Sequence, residues 1–77
     1  MMTFENAIKR IQEFASLFAF EYNGKDGDID PFNKNKFNLF YNGETKEVHS
    51  IEDVINEPFF DGKSFKEIYD EISIVEY

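Results

Sequence analysis

The chain has 77 residues, no cysteine, 18% aromatic residues and a formal net charge of -8. The lack of cysteine excludes disulfides, thiolate catalysis and cysteine-based zinc sites, and 42% hydrophobic content is typical of a folded chain. This length predicts one small domain over residues 1–77, with a dense core that ten Phe and four Tyr would supply.

The sequence has no pattern that indicates a membrane or an export signal. No apolar run approaches the roughly 18–20 residues that cross a bilayer. Glu5, Lys9 and Arg10 interrupt any apolar stretch at the N-terminus, unlike a signal peptide. Asn, Ile, Phe, Lys and Glu are abundant, which is typical of AT-rich coding. We therefore expect a cytoplasmic protein of a low-GC bacterium, a phage or a mobile element.

The first predicted element is a helix over about residues 3–17, which Thr3 caps. Apolar residues at spacings of three and four form one helical face: Phe4, Ala7, Ile8, Ile11, Phe14, Ala15 and Phe18. The period then changes to two at Phe18, Phe20 and Tyr22, which indicates a half-buried strand. Asn23-Gly24 ends that strand.

The middle of the chain predicts a loop followed by a hairpin. Residues 24–35 hold two Gly, one Pro, two Asn and three Asp, a composition typical of a loop. Alternation resumes at Phe37, Leu39 and Tyr41. Asn42-Gly43 predicts a type I′ turn, because both residues tolerate positive φ, and a return strand follows over about residues 44–49.

The last third predicts two short helices and a terminal strand. Ser50 caps the first helix and Pro58 ends it, while Ser64 and Glu67 form a capping box for the second. Residues 72–77 are alternating and β-branched enough for a strand. The order is α-β-β-β-α-α-β, an α+β domain in which helices cover one face of an antiparallel sheet of three or four strands.

Two motifs resemble ligand sites, and both lack key residues. Asp26-x-Asp28-x-Asp30 resembles the start of a calcium loop, but Pro31 and Phe37 stand where that loop needs Gly and Glu. The segment 61–64 contains the Gly-Lys-Ser of a phosphate-binding loop without its upstream Gly and strand. We expect no metal and no cofactor. The simpler interpretation is an acidic turn in one case and a helix cap in the other.

Catalysis is also disfavoured by the sequence. His49 is the only histidine, and a domain of this size has little room for the dry pocket that a Ser-His-Asp triad requires. Paired carboxylates could suggest a glycosidase, but no segment predicts a cleft. Direct binding of nucleic acid is disfavoured too, because the basic cluster of Lys25, Lys34 and Lys36 is neutralised by nearby Asp residues. We therefore expect a protein that is not an enzyme.

The distribution of charge is the strongest indication of a partner. Residues 51–77 carry eight acids and two bases, whereas residues 1–50 carry eight acids and six bases. The acidic C-terminal third is either a solvated surface or a face that binds a basic protein. Adjacent Phe residues in the turn after Pro58 could add an apolar anchor, and the predicted partner-binding set is Glu52, Asp53, Glu57, Phe59, Phe60, Asp61, Glu67, Asp70 and Glu71.

These patterns predict a small accessory protein that binds a basic protein partner through its acidic C-terminal face, and a nucleic-acid-binding protein is one such partner. In composition alone the chain resembles small acidic proteins that mimic nucleic acid, and no motif adds to that resemblance. The alternative is a homo-oligomeric structural protein that pairs through its terminal strand, with a homodimer as its simplest form.

Overall fold

Helices cover one face of a five-stranded sheet in the computed structural model, which describes residues 2–14 and 16–77. The helices are α1 (Phe4–Ile11), α2 (Ile51–Asn56) and α3 (Phe65–Ile68), and α3 continues into a 3-10 turn over Tyr69–Glu71. The strands are β1 (Phe18–Tyr22), β2 (Lys25–Asn33), β3 (Lys36–Tyr41), β4 (Glu44–Val48) and β5 (Ser73–Glu76). Neighbours are antiparallel in the order β4-β3-β2-β1-β5.

The predicted α+β class is confirmed, but the sheet has one strand more than the predicted order contains. Residues 25–33, predicted as a loop, form the central strand β2. Gly, Pro and Asp are poor strand formers, yet Gly27, Ile29 and Pro31 alternate toward the core with Asp residues between them. Pro31 lies beside an irregularity in the pairing with β3, where a missing N–H is tolerated.

Gly27 is the position in β2 at which a residue larger than glycine fits least well. It pairs with Phe20 of β1, and a Cβ placed on it would lie 2.8 Å from the ring of Phe20. No side chain fits at that distance without displacing the ring. The glycine that suggested a loop therefore permits a large aromatic residue on the neighbouring strand.

Three tight turns use the same two-residue chemistry. Asn42 and Gly43 have φ of 50° and 84° and join β3 to β4, which confirms the predicted hairpin. Asn23-Gly24 has φ of 53° and 72° and joins β1 directly to β2, so it does more than end a strand. Asp61-Gly62 has the same signs, and the backbones of Phe60 and Lys63 bond to each other on either side of it.

Helix α1 is shorter than predicted. The hydroxyl of Thr3 accepts the amide of Asn6 as expected, but the helix ends at Ile11 with Gln12 as its C-cap. Phe14 has φ of 55° and is 41% exposed, so it does not continue the apolar face. Phe18 belongs to β1, and Ala15 lies outside the described residues. A residue in the left-handed conformation cannot extend a right-handed helix. The helical spacing of apolar residues in the sequence therefore continues beyond the residue at which the helix ends.

The predicted helices of the C-terminal third and its last strand are confirmed with small changes of boundary. The Ser50 hydroxyl accepts the amide of Asp53, and α2 ends two residues before Pro58. Ser64 and Glu67 form the predicted capping box, in which the amide of each is accepted by the side chain of the other. The terminal strand spans Ser73–Glu76 rather than residues 72–77.

The core lies between the helices and the inward face of the sheet. Alternate residues of β1 and β3 are at most 4% exposed, and Val54, Phe60, Phe65 and Ile68 meet them from the helical layer. Phe65 packs with its ring centre 5.7–5.9 Å from those of Phe20 and Phe18.

In residues 2–14 and 16–77, no helix has the length and apolar character needed to cross a membrane.

Candidate partner-binding surface

The acids of the C-terminal third divide into those that hold the fold together and those that do not. Asp53 accepts the backbone amide of His49 at 3.4 Å, and Glu57 pairs with Lys46 of β4 at 2.8 Å. Glu67 accepts the amide of Ser64 at 2.9 Å, and these hydrogen bonds lower the pKa of its carboxyl. Three of the predicted binding acids are therefore already occupied by partners within the chain.

Asp61 is the most heavily engaged of these acids. Its carboxylate lies 2.8 Å from the hydroxyl of Tyr41, 3.4 Å from the side-chain amide nitrogen of Asn23 and 3.5 Å from the ammonium of Lys25. The hydrogen bond from Tyr41 is the main reason that the pKa of Asp61 is lowered, with Asn23 and Lys25 adding to it. This carboxylate ties the 61–62 turn to the ends of two hairpins.

Tyr41 is the buried half of that contact. Only 4% of Tyr41 is exposed, and its hydroxyl lies 3.0 Å from the carbonyl oxygen of Tyr22 as well as close to Asp61. Burial, followed by the neighbouring carboxylate, raises its pKa to about 12. Because of this raised pKa the hydroxyl stays protonated over the physiological range, and its single hydrogen is shared between the Tyr22 carbonyl oxygen and Asp61.

The two adjacent Phe residues have different surroundings. Phe60 has no exposed surface and packs against Phe20 and Tyr41 with ring centres 5.5 and 5.8 Å away. It therefore cannot contact a partner in this structure, and its place in the predicted binding set is corrected. Phe59 is half-buried and packs edge-on against Phe60. Of the pair, only Phe59 presents surface to solvent.

The remaining acids of the predicted set are exposed. Glu52 lies in the first turn of α2, and Asp70 and Glu71 lie in the 3-10 turn after α3. Among the described residues, none of these three carboxylates forms an ion pair. Together with Glu76 of β5, they are the acids of residues 51–77 whose side chains have no hydrogen-bond or ion-pair partner among the described residues.

A larger group of acids lies on the side of the sheet that faces away from the helices. We call this side the open face. Strand pairing fixes its members, because directly opposed residues share a side and Asp28 opposes both Ala19 and Phe40. By strand pairing the open face includes Ala19, Glu21, Asp26, Asp28, Asp30, Asn38, Phe40, Thr45, Glu47, Ser73 and Glu76.

The electrostatics of the open face differ from those of the C-terminal acids. Glu47 lies 3.8 Å from Lys36, but within the described residues Glu21 and the three Asp residues of β2 form no ion pair. Asp28 lies between Ala19 and Phe40, and partial burial, together with the charge of Asp30, raises the pKa of its carboxyl. Repulsion and desolvation at this point are left uncompensated by the chain itself.

The two ligand-like motifs lie on strand β2 and at the turn before α3. Alternate residues of a strand have Cα atoms roughly 6.6–6.8 Å apart, so Asp26, Asp28 and Asp30 are spread along β2, whereas a calcium loop wraps its ligands around one point. No group of three or more His, Asp or Glu side chains in residues 2–14 and 16–77 is placed to hold a metal. Lys63 and Ser64 belong to a tight turn and a helix cap.

His49 lies on the surface rather than in a pocket. One of its ring nitrogens lies 3.6 Å from Glu47 and the other 3.2 Å from the carbonyl oxygen of Asn35. Its side chain is 69% exposed. These contacts place it at the end of β4, as the sequence indicates.

Sequence reasoning missed the open face because it treated β2 as a loop. Placed in a loop, the Asp26-x-Asp28-x-Asp30 pattern predicts an acidic turn. Two signals could have identified a strand: a glycine-containing turn immediately before it, and strict alternation of acids with Gly27, Ile29 and Pro31. Once β2 is a strand, its acids and Phe40 must share one side.

No protein-family model, curated protein or solved structure matches this chain.

Proposed function

We propose that this protein is a non-enzymatic accessory protein that binds a basic protein partner through the open face of its sheet. The observation that supports the proposal is the row of acids on β1 and β2, whose carboxylates have few partners inside the chain. Glu52, Asp70 and Glu71 are exposed and extend the negative surface. The proposal keeps the predicted kind of partner and moves the centre of the surface from the C-terminal third to the sheet.

Apolar surface at the centre of the open face supports binding rather than simple solvation. Phe40 and Ala19 flank Asp28 on the neighbouring strands, and Phe40 is half-buried. An aromatic residue surrounded by charged residues is a common arrangement in protein interfaces, where the aromatic supplies affinity and the charges supply orientation. A basic side chain placed beside Asp28 would also relieve its repulsion from Asp30.

A partner that normally binds nucleic acid fits this surface best. Such proteins present Lys and Arg residues that neutralise successive phosphates. Strand β2 presents three carboxylates on one side at regular spacing, which is a simple way to occupy such residues. On this proposal the protein competes with nucleic acid for the basic face of its partner.

The test compares two triple variants with equal loss of charge. One is Asp26→Asn, Asp28→Asn and Asp30→Asn, and the matched control is Glu52→Gln, Asp70→Asn and Glu71→Gln. Basic proteins captured on the wild-type chain would be purified, and their binding kinetics measured at about 50 and 200 mM salt. We expect the β2 triple to slow association about tenfold at low salt and the control to change it much less.

Competition with nucleic acid completes this test. Added double-stranded DNA should displace the captured partner from the wild-type chain in proportion to its concentration. If the control triple slows association as much as the β2 triple, the binding surface lies in the C-terminal third. If neither triple changes association, the acids are a solvated surface and the proposal is wrong.

A further inference from the structure

We propose that the outer edge of β5 binds an extended segment of a partner protein in which apolar and basic residues alternate. This inference goes beyond the acidic face, because it depends on the backbone of a strand and on an apolar groove beside it. Strand β5 forms one margin of the sheet, and among the described residues it pairs with β1 alone. Its outer N–H and C=O groups therefore have no strand beside them.

The two edges of the sheet carry different side chains. Strand β4, at the opposite margin, has the sequence Glu-Thr-Lys-Glu-Val, and its charges discourage pairing with another strand. Strand β5 has Ile74 and Val75 at its centre, and Val75 is 69% exposed. Strand β5 is short and its pairing with β1 is irregular between Ala19 and Phe20, but its centre is apolar and exposed. Such an edge can accept an extended backbone, which completes its row of hydrogen bonds.

An apolar groove adjoins the β5 edge on the helix-covered side. It has a volume of about 380 Å³ and is lined by Met2, Tyr69, Asp70, Ile72 and Ile74. The Tyr69 hydroxyl donates to the carbonyl oxygen of Met2 at 2.8 Å, which holds two walls of the groove together. Its volume is near the lower end of the roughly 300–1,000 Å³ of ligand pockets, which suits one or two apolar side chains.

The two sides of β5 determine the pattern of the segment that would fit. Ile74 opposes Phe20 and faces the groove, whereas Ser73 opposes Glu21 on the acidic open face. Beside Ser73 and Ile74, where the pairing with β1 is regular, an added strand would alternate in the same way. Its residues on the groove side would be apolar, and those on the other side would lie near Glu21 and be basic.

The same charges argue against a second copy of this chain as the occupant. Each copy carries a net charge of -8, so two copies repel each other before their edges meet. A second β5 would also offer Ser73 and Glu76 to the acidic side, where a basic residue fits. The proposal therefore commits to a basic partner segment, and self-association becomes an outcome that the test detects.

The probe is a short synthetic peptide in which Lys alternates with Val and a central Leu. Its control has the same composition, with the Lys residues and the apolar residues in two blocks. The control matches total charge, so it measures attraction to the open face without strand pairing. We expect the alternating peptide to bind at least about tenfold more tightly, and to protect amides of residues 73–76 from hydrogen exchange.

Two variants show whether the effect comes from the edge. Val75→Pro, which removes an N–H group and resists strand pairing, should abolish the tenfold preference, and Val75→Thr should keep it. If Val75→Pro does not fold, amide protection in the wild-type chain decides alone. Asn substitutions at Asp28 and Asp30 should leave the preference intact, so failure of the open-face proposal is distinguishable.

Three results would overturn the proposal. The first is equal affinity for the alternating and blocked peptides. The second is protection of amides outside β5 and none within it. The third is a concentration-dependent dimer, seen by sedimentation, that excludes the peptide and would assign the edge to a second copy.

Discussion

The C-terminal third and the open face both carry several carboxylates, but the fold uses them differently. In the C-terminal third, Asp53, Glu57, Asp61 and Glu67 accept hydrogen bonds or form ion pairs within the chain. On the open face, the acids of β1 and β2 form no ion pair among the described residues. The density of acids along a sequence therefore does not indicate where negative surface is available.

The difference has a physical origin in secondary structure. Helix starts and tight turns leave backbone amides without partners, and nearby carboxylates satisfy them. A strand has its amides bonded to neighbouring strands, so its outward side chains have no such task. Acids near helix caps and turns are consequently stabilising elements, whereas acids on an uncovered strand face are free to interact with other molecules.

The largest expected difference is in the stability lost when an aromatic residue is replaced in each of the two regions. Phe60→Ala should lower the free energy of unfolding by about 3–5 kcal/mol, because a fully buried ring leaves a cavity. Phe40→Thr, on the open face, should cost less than about 1 kcal/mol. Urea denaturation of both variants measures this contrast. Similar losses in the two variants would mean that Phe40 is part of the stabilising core.

The next effect tests the strand that carries the open-face acids. Gly27→Ala should destabilise the fold by about 1–3 kcal/mol, because its Cβ would meet Phe20 at 2.8 Å. The same change in a flexible loop would be neutral or slightly stabilising. Thermal unfolding would distinguish the two cases, and an unchanged melting temperature would show that residues 25–33 do not form β2.

A smaller effect on stability is expected at Asp61, the acid with the most hydrogen-bond and ion-pair partners in the C-terminal third. Asp61→Asn keeps the shape of the turn but removes the charge that Tyr41 and Lys25 contact, so it should lower stability at neutral pH. The pKa of Asp61 is lowered in the fold, so its contribution exists at higher pH and is lost as pH falls through that pKa. Melting temperatures of wild type and variant should therefore converge in acid. A constant difference would indicate a steric cause.

The smallest effect has the opposite sign. The pKa of Asp28 is raised in the fold, so its ionised form makes the protein less stable at neutral pH than in acid. Asp28→Asn should raise the melting temperature slightly at pH 7, and the gain should shrink as pH falls through the raised pKa. Calorimetry over a pH series measures this, and a loss of stability at pH 7 would contradict the account.

Much of the fold could be predicted because its local signals agree with its packing. The capping box at Ser64 and the turn at Asn42-Gly43 are local, and both form as expected. The end of α1 and the existence of β2 depend on tertiary contacts. Phe14 leaves the helical conformation despite its apolar period, and β2 is stabilised by a strand on each side despite its composition.

For the binding surface, the sequence predicts the sign of the charge but not the residues that carry it. Net charge indicates a basic partner whichever acids are free, so the expected chemistry survives as a proposal. The choice of residues could not survive, because the sequence does not show which acids accept internal hydrogen bonds. Asp61 and Asp28 have the same side chain and opposite pKa shifts, and only the fold distinguishes them.

Among the described residues, the open face gathers its unpaired carboxylates on two neighbouring strands, whereas those of the C-terminal third are scattered, so we expect a basic ligand to bind the open face first. Backbone NMR during titration with a lysine-rich peptide tests this expectation directly. We expect salt-sensitive shifts at Glu21, Asp28 and Asp30, with little change in α2 or the 3-10 turn. Shifts concentrated at Glu52, Asp70 and Glu71, with β2 unchanged, would show that the C-terminal acids are the binding surface.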